Sequence, residues 1–359
     1  MLSEEYFIRR SFSLAKKAEG KTSPNPLVGA VIVKRGRVIS EGYHKRAGSP
    51  HAEIEAMNRV SPSELKGSAL FVNLEPCFHW GRTPPCVDRI ISSGIKRVVI
   101  SVKDPNPLVS GKSIRKLREA KLKVKVGILK KEAKRLNEVF FKNMREKLPF
   151  IAVKFAQTLD GKIADFKGDS KWITSLKARR YSRRLRGLYD AVLVGVNTVL
   201  KDNPYLDSPL KKMTKIILDP EGRVSPRANL FKKAKRVFLV TKRKDFSQKK
   251  IPENTEIIRI GFSPKRGFDL PELLNILYSK GITSLFVEGG AFTLGKFLEQ
   301  KLTDKFYIFV APKIAADNKA LASIFSERAL RIRNFLKIKD LQLKVVGRDF
   351  LFTGYPSKG

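Results

Sequence analysis

The 359-residue sequence contains only two cysteines and three histidines, and it has no long apolar run. Two cysteines exclude a disulfide-stabilised scaffold and are typical of a chain that works in a reducing compartment. No stretch reaches the roughly eighteen consecutive apolar residues that a membrane helix needs. The first residues also lack the apolar core and small-residue cleavage site of a signal peptide. We therefore expect a cytoplasmic protein with no membrane partner.

Acidic residues are scarce relative to basic ones: 34 Asp and Glu stand against 73 Lys and Arg, which gives a net charge of +39. Such a charge attracts polyanions and makes nucleic acid a candidate partner. The basic residues, however, are scattered along the chain, and no aromatic-interleaved RNA-binding motif accompanies them. Nucleic acid is therefore the weaker prediction, because anionic small substrates benefit from the same field.

Alternating helical and strand patterns predict two α/β domains, at residues 1–147 and 148–359. In the first, we expect helices at 4–19, 51–57, 86–93 and 130–147, and strands at 28–33, 38–42, 69–74 and 97–102. In the second, we expect strands at 151–155, 191–194, 215–218, 236–240, 257–260, 284–287 and 305–310, and a helix from about residue 293. Strands that alternate with helices predict open sheets covered on both faces.

The chemistry-bearing residues of the first domain form a zinc-ligand pattern. His51 stands at the expected start of one helix and Cys86 at the start of another, with Cys77 between them. One imidazole and two thiolates supply three ligands for a tetrahedral zinc, and an open fourth position is typical of a catalytic site. A helix start also favours the thiolate form of Cys86.

Glu53 follows the histidine ligand at a spacing that suits a proton shuttle, which would move protons without binding the metal. His-x-Glu followed by Pro-Cys and a second cysteine is the signature of the zinc deaminases. Taken singly, two cysteines are more often buried hydrophobes and a histidine is more often a surface residue. Their combination with Glu53 and Pro76 favours a deaminase that acts on an aminopyrimidine-type ring.

Eight residues separate Cys77 and Cys86, whereas the short form of the zinc-deaminase motif has two. This long interval restricts the predicted family of deaminases. The sequence resembles the bifunctional deaminase–reductases of riboflavin biosynthesis, at Pro24-Asn25-Pro26-Leu27-Val28-Gly29, Gly42-Tyr43-His44, His51-Ala52-Glu53, Pro76-Cys77, Gly81-Arg82-Thr83-Pro84-Pro85-Cys86 and Asp104-Pro105-Asn106-Pro107. Phe78 departs from the serine that is usual in the family. The resemblance implies a cytidine-deaminase-like three-layer α/β/α domain in which Asn25, His44 and Arg82 contact a phosphorylated pyrimidine substrate.

The second domain lacks a Gly-x-Gly-x-x-Gly motif after its first strand, but Gly289-Gly290 stands between a strand and a helix. A glycine pair there lets backbone amides approach a phosphate, although such a pair by itself more often forms a plain turn. The resemblance continues through this half and implies a dihydrofolate-reductase-like α/β domain that uses NADPH. The residues implied to bind the cofactor are Ala156, Trp172, Thr198, Asp202, Gly290, Ala291, Phe292, Thr293, Leu294, Gly295 and Lys296. The residues implied to bind the substrate are Ser170, Arg186, Leu206 and Glu288.

The expected activity is hydrolytic deamination of a diaminopyrimidine ribosyl phosphate, followed by NADPH-dependent reduction of the ribosyl group to ribityl. Lys154 and Asp202 are the candidates for proton transfer in the second step. Lys211 or Lys212 would replace a substrate-phosphate arginine that is frequent in the family. We expect a homo-oligomer. The alternatives are a tRNA or single-strand deaminase with a basic domain, and a deaminase whose second domain serves only in binding or dimerisation.

Overall fold

The computed structural model describes residues 2–78, 85–245 and 251–357. The chain divides into two compact units, Met1–Lys147 and Leu148–Gly359. Each unit has its own central sheet and its own hydrophobic core. Within the described ranges, no helix combines the length and the apolar character needed to cross a membrane.

The first unit is a five-stranded sheet of order β2-β1-β3-β4-β5, in which β1 is antiparallel to both neighbours and β3 to β5 are parallel. Ile32 and Val31 of β1 belong to different core clusters, because successive strand residues point to opposite faces. Helices therefore cover both faces, as predicted. The elements are α1 (Glu4–Lys16), β1 (Gly29–Lys34), β2 (Arg37–Tyr43), α2 (Ala52–Met57), α3 (Pro62–Leu65), β3 (Ala69–Val72), α4 (Cys86–Ser92), β4 (Arg97–Ile100), α5 (Lys112–Glu119), β5 (Lys123–Val126), α6 (Lys130–Leu136) and α7 (Glu138–Glu146).

Gly42 brings β2 unusually close to the helix that follows His51. A Cβ atom at Gly42 would lie 2.4 Å from the carbonyl oxygen of Ala52 and 2.5 Å from the backbone nitrogen of Ala56. Only glycine permits this approach, because any side chain would collide with backbone. The position of α2, and with it the position of His51 and Glu53, is therefore set by contact with β2.

The second unit is a nine-stranded sheet of order β11-β10-β9-β8-β14-β6-β15-β18-β17. The first seven strands in this order, β11 through β15, are parallel to one another. The last two, β18 and β17, form an antiparallel hairpin that pairs with β15 at one end of the sheet. The elements are β6 (Phe150–Gln157), β7 (Lys162–Ala164), α8 (Leu176–Arg186), β8 (Ala191–Gly195), α9 (Val196–Asp202), β9 (Thr214–Leu218), β10 (Arg236–Thr241), β11 (Thr255–Arg259), β12 (Phe262–Ser263), β13 (Gly267–Phe268), α10 (Leu270–Ser279), β14 (Ser284–Glu288), α11 (Ala291–Glu299), β15 (Lys305–Val310), β16 (Leu321–Ala322), β17 (Ile338–Val346) and β18 (Asp349–Pro356).

Three features differ from the predicted elements. The single helix expected over 130–147 is broken at Asn137, whose backbone leaves the helical region at φ −112° and ψ 28°. The side chain of Asn137 bonds instead to the backbone of Leu27, 110 residues away. The hairpin of β17 and β18 was not predicted, and α11 begins at Ala291 rather than near Thr293.

Candidate active sites

The three predicted metal ligands lie together in the first unit. His51 precedes α2, Cys86 opens α4, and Cys77 lies in the loop after β3. The Nδ1 atom of His51 is 3.2 Å from Sγ of Cys86 and 3.5 Å from Sγ of Cys77, and all three ligand atoms lie within 4.8 Å of one another. His51 thus converges with Cys77 and Cys86 although two helices and a strand separate it from them in the sequence.

The donor set fits a zinc ion. One nitrogen and two sulfurs are the ligands of a three-residue catalytic zinc site, in which the fourth position stays open. The backbone N–H of Cys86 donates to Sγ of Cys77 at 3.1 Å. Hydrogen bonding from Cys86, together with the nearby His51, lowers the pKa of the Cys77 thiol to about 4. Cys77 therefore favours the thiolate that a metal requires. The prediction of a favoured thiolate at Cys86 is wrong for the site without its metal, because the hydrogen bond with Cys77 and burial raise the pKa of the Cys86 thiol.

Glu53 lies in the first turn of α2 and is buried, with 3% of its surface exposed. Burial raises the pKa of Glu53 to about 7, although the charge of His51 opposes the shift. A carboxyl group with this pKa can both hold and release a proton near neutral pH. Glu53 is not one of the three clustered ligand residues, so its position suits a proton carrier beside the metal.

Asn25 and His44 lie next to the ligand cluster. The ring of His44 is 5.4 Å from the ring of His51 and nearly perpendicular to it. Nδ1 of His44 contacts the carbonyl oxygen of Pro50 at 3.1 Å, so this nitrogen is the donor, since a carbonyl can only accept. Burial lowers the pKa of His44, and in the neutral ring Nε2 accepts from Nδ2 of Asn25 at 3.1 Å. Arg82 lies outside the described residues.

Two buried asparagines that the sequence reasoning missed hold the loop that carries Asn25. Asn73 donates from Nδ2 to the carbonyl oxygen of Leu27 at 2.8 Å and accepts from the backbone N–H of Gly29 at 2.8 Å. Asn137 accepts from the N–H of Leu27 at 2.7 Å and donates to its carbonyl oxygen at 3.0 Å. These contacts join segments that are distant in the sequence, and no local motif predicts them.

We expect Asn73→Ala to destabilise the first unit by about 1–3 kcal/mol, because a buried N–H and a buried carbonyl each lose a partner. The loop with Asn25 would shift, so the KM of the deaminase should rise more than its kcat falls. Denaturant titration and steady-state ammonia release measure the two effects. Asn58→Ala, at the end of α2 and exposed, is the control and should change neither. An unchanged stability in Asn73→Ala would contradict the assignment.

Glu75 fixes the loop on the other side of Cys77. Its buried carboxylate accepts from the backbone N–H groups of Asp104 at 3.2 Å, Gly111 at 2.9 Å and Ile114 at 3.3 Å. The hydroxyl of Ser113 donates to the carbonyl oxygen of Pro76 at 2.7 Å. The segment that contains Asp104 is therefore tied directly to the residues before Cys77, a predicted metal ligand.

In the second unit, three predicted residues form a buried charge cluster at the carboxyl end of β14. Arg186 donates from Nε and Nη2 to the two carboxylate oxygens of Glu288, at 2.6 and 3.1 Å. Nζ of Lys154 lies 3.7 Å from the same carboxylate. Burial acts to raise the pKa of Glu288, but Arg186 and Lys154 outweigh it and lower that pKa. Burial lowers the pKa of Lys154.

Three further predicted substrate and cofactor residues, Leu206, Trp172 and Ser170, lie in loops of the same unit. Arg186 also donates to the carbonyl oxygen of Asp207 at 2.6 Å, next to the buried Leu206. Trp172 is 60% exposed, and the guanidinium of Arg179 stacks 3.9 Å from its ring centre. Ser170 precedes it, in the same turn. An exposed aromatic ring held by a cation offers a flat surface for a ligand ring.

Gly195, Gly289 and Gly290 lie at the carboxyl ends of β8 and β14, and we call this part of the sheet edge the glycine groove. A Cβ atom at Gly195 would lie 2.8 Å from Oγ1 of Thr293, and one at Gly289 would lie 2.8 Å from Cβ of the same threonine. Gly290 precedes α11, and its own Cβ position is 4.0 Å from Oγ1 of Thr198. Crevices outside the carboxyl ends of parallel strands are where open α/β sheets bind dinucleotides. The residues therefore fit a nicotinamide cofactor.

The remaining predicted cofactor residues are distributed around this groove. Ala156 lies near the end of β6, and Asp202 ends α9, where burial raises its pKa. The side chain of Leu294, by contrast, is fully buried in the hydrophobic core. The structure therefore does not place Leu294 where a cofactor could contact it.

Lys211 lies away from the substrate cluster. Its Nζ is 4.0 Å from the carboxylate of Asp190, which precedes β8 and bonds to Thr283 before β14. These residues lie at the amino ends of the strands, whereas Glu288 ends β14. The structure therefore does not place Lys211 where a substrate-phosphate ligand was predicted, and Lys212, beside it, is exposed.

The donor set of the first unit and the groove of the second define a zinc-dependent deaminase joined to a nicotinamide-dependent reductase. Residues 1–102 match the family model of the cytidine and deoxycytidylate deaminase zinc-binding region. Residues 149–352 match that of the RibD C-terminal domain. The chain belongs to the RibD family of riboflavin biosynthesis proteins, which are bifunctional deaminases and reductases.

Similarity to individual family members extends over nearly the whole chain. The riboflavin biosynthesis protein RibD of Aquifex aeolicus is 42% identical over 353 residues, covering 97% of each chain. The Escherichia coli protein of the same name is 35% identical and covers 95% of this chain and 96% of its own. The crystal structure of a Thermotoga maritima deaminase/reductase superposes with a TM-score of 0.87, at 39% identity and 98% coverage of both chains. The predicted family, fold class and enzyme class are thereby confirmed.

Proposed function

We propose that the first unit removes the ring amino group of 2,5-diamino-6-ribosylamino-4(3H)-pyrimidinone 5′-phosphate by hydrolysis. The second unit then uses NADPH to convert the ribosyl group to ribityl, giving 5-amino-6-ribitylamino-uracil 5′-phosphate. The observation that carries the proposal is the convergence of His51, Cys77 and Cys86 next to the buried carboxyl group of Glu53. The solved Thermotoga relative, a diaminohydroxyphosphoribosylaminopyrimidine deaminase and 5-amino-6-(5-phosphoribosylamino)uracil reductase, supports this substrate class.

In the deaminase unit, His51, Cys77 and Cys86 hold the metal, and Glu53 carries the proton. When bound, Zn²⁺ supplies Lewis-acid activation of water near neutral pH. The carboxylate of Glu53 takes a proton as water adds to the ring carbon and returns it to the departing amine. Burial raises the pKa of Glu53 to about 7, so the same carboxyl group can serve in both transfers near neutral pH.

The pyrimidine ring is recognised by Asn25 and His44. Asn25 is held between two prolines in a loop that Asn73 and Asn137 fix, so its amide is oriented before substrate arrives. Neutral His44 bonds to this amide and fixes its rotamer. A preorganised amide loses little conformational entropy on binding. Arg82 is proposed to pair with the substrate phosphate.

In the reductase unit, the nicotinamide supplies hydride, and the buried cluster binds and orients the sugar. Arg186 and Glu288 form a rigid bidentate pair, to which substrate hydroxyls can bond. Of the two proton-transfer candidates, Lys154 is favoured over Asp202. Its ammonium group lies 3.7 Å from Glu288, and burial lowers its pKa toward the range in which it can exchange a proton.

A single incubation tests the proposal. Zinc-loaded protein is mixed with the diaminopyrimidine ribosyl phosphate and NADPH, and ammonia and the absorbance of the reduced nicotinamide are followed together. We expect ammonia release followed by an equal loss of NADPH. Ammonia without NADPH loss would overturn the reductase half, and NADPH loss without ammonia would overturn the order of the two steps.

We also propose that the chain forms a homo-oligomer through β17, the last strand of the nine-stranded sheet. One face of this strand packs on α8, where Nζ of Lys344 is 3.3 Å from the Tyr181 hydroxyl. On the opposite face, Leu341, Leu343 and Val345 are 55%, 58% and 62% exposed. Edge strands with contiguous exposed apolar residues are typical of interfaces, and a two-fold axis would pair the strand with its own copy.

We expect the protein to sediment at a multiple of its 40.6 kDa mass, and Leu343→Glu to sediment as a monomer at micromolar concentration. A buried carboxylate without a partner would oppose the interface. Gln342→Glu, on the α8 face of the same strand, should leave the mass unchanged. A monomeric wild type, or a Leu343→Glu variant that keeps its mass, would rule out this surface.

A further inference from the structure

The sheet topology sets the direction in which a dinucleotide crosses the reductase unit. The strands β6, β14, β8 and β9 are consecutive neighbours, all parallel. The charge cluster of Lys154, Glu288 and Arg186 marks the reacting end at β6 and β14, and the glycine groove lies at β14 and β8. A cofactor whose nicotinamide reaches this cluster and whose pyrophosphate lies in the groove directs its adenosine outward, toward β9.

The distance between β6 and β9 matches the length of a dinucleotide cofactor. Neighbouring strands are about 4.8 Å apart, so β6 and β9 are separated by about 14 Å, which is comparable with the length of an extended dinucleotide. The adenosine ribose would therefore lie near the carboxyl end of β9 and the first turn of α9. The side chains exposed there meet the group that distinguishes the two nicotinamide cofactors, the 2′-phosphate of that ribose.

Arg223 lies near the carboxyl end of β9 and the first turn of α9. It lies in the turn after β9 and is exposed, and its Nη2 donates to Oδ1 of Asn197, in the first turn of α9, at 2.8 Å. The contact ties the guanidinium to the side of the groove and uses one of its five N–H donors. The turn itself is fixed, because the buried Asp219 accepts from the backbone N–H of Val224 at 2.8 Å.

The acidic residues of this turn do not favour a cofactor that lacks the 2′-phosphate. An exposed carboxylate at the end of the strand would bond to a free ribose 2′-hydroxyl and repel a phosphate. Asp219 directly follows β9, but its side chain is fully buried and accepts a hydrogen bond from the backbone. Glu221 pairs with Lys242 at 2.7 Å, which offsets its charge.

From this geometry we infer that Arg223, held by Asn197, binds the 2′-phosphate of NADPH and makes the reductase select NADPH over NADH. The inference rests on the proposed reductase function and adds the residue that discriminates between the cofactors. A guanidinium can pair with a phosphate through two parallel hydrogen bonds, which an amide cannot reproduce.

The test measures binding and kinetics of the full-length protein. Adenosine 2′,5′-bisphosphate and 5′-AMP are titrated by calorimetry, and the reductase is assayed on the deaminated substrate with NADPH and with NADH. We expect Arg223→Gln to weaken the bisphosphate and to lower kcat/KM for NADPH by about 10- to 100-fold, the effect of losing a charge-assisted hydrogen bond. Affinity for 5′-AMP and kcat/KM for NADH should change less than about twofold, since neither ligand carries the lost phosphate contact.

Two variants separate this role from a general loss of positive charge. Arg227→Gln removes an exposed arginine four residues further on and should affect neither ligand, whereas Arg223→Lys should retain part of the preference. Equal kcat/KM for NADH and NADPH in the wild type, or an unchanged preference in Arg223→Gln, would overturn the assignment while the reductase function stands. A wild type that reduces substrate with neither cofactor would overturn both.

Discussion

Replacing Glu53 with glutamine is expected to lower the rate of ammonia release by about 10²- to 10⁴-fold, the range that a positioned proton carrier contributes. The substitution preserves the shape of the side chain in its buried site but removes its ability to accept a proton. The three metal ligands are untouched, so one zinc per chain should remain bound. Ammonia release under saturating substrate and metal analysis of the same sample measure both quantities.

The reductase provides an internal control in this experiment. In Glu53→Gln, reduction of the deaminated substrate by NADPH should proceed at the wild-type rate, because the catalytic residues of that step lie in the other unit. Glu55→Gln, two residues further along α2, weakens the ion pairs with Lys45 and Arg59 and should deaminate normally. If Glu53→Gln retains zinc and full ammonia release, Glu53 is not the proton carrier.

The residues of the deaminase site that the sequence predicts are those that belong to short local motifs. His51 and Glu53 belong to one short motif, and Cys86 opens a helix after a proline, so residue type and spacing identify them. Asn73, Glu75 and Asn137 act through backbone groups that lie 29 to 110 residues away. A single asparagine or glutamate in a loop carries no pattern, so its partners become visible only when the chain is folded.

The same distinction between local patterns and long-range contacts applies to the fold. The parallel strands of both units read as short apolar runs between helices, and the structure contains strands at these places. The C-terminal hairpin was missed although apolar and polar residues alternate from Leu341 to Val345, which is a strand pattern. Eight of the nine residues of β17 are exposed, so this strand depends on its pairing with β18 rather than on burial. The helix expected over 130–147 ends early because Asn137 bonds to Leu27, a tertiary contact that outweighs local propensity.

Replacing Arg186 with methionine is expected to abolish hydride transfer and to destabilise the second unit by up to about 3 kcal/mol at neutral pH. Breaking a buried ion pair leaves its partner charge uncompensated. Here Lys154, 3.7 Å from Glu288, retains part of the compensation. Arg186→Lys should recover some stability but little activity, because an ammonium cannot reproduce the bidentate contact. Denaturant titration and NADPH oxidation measure the two effects.

The pH dependence of this loss identifies its cause. The pKa of Glu288 is lowered in the folded state, so its ion pair adds stability above the unfolded pKa of about 4.3 and loses it as the pH falls through the folded pKa. The stability gap between wild type and Arg186→Met should therefore be full at pH 7 and narrow below about pH 4. Arg183→Met, which removes an exposed partner of Asp207, should cost less than about 1 kcal/mol. A gap that stays constant down to acidic pH would mean that Arg186 contributes packing rather than charge.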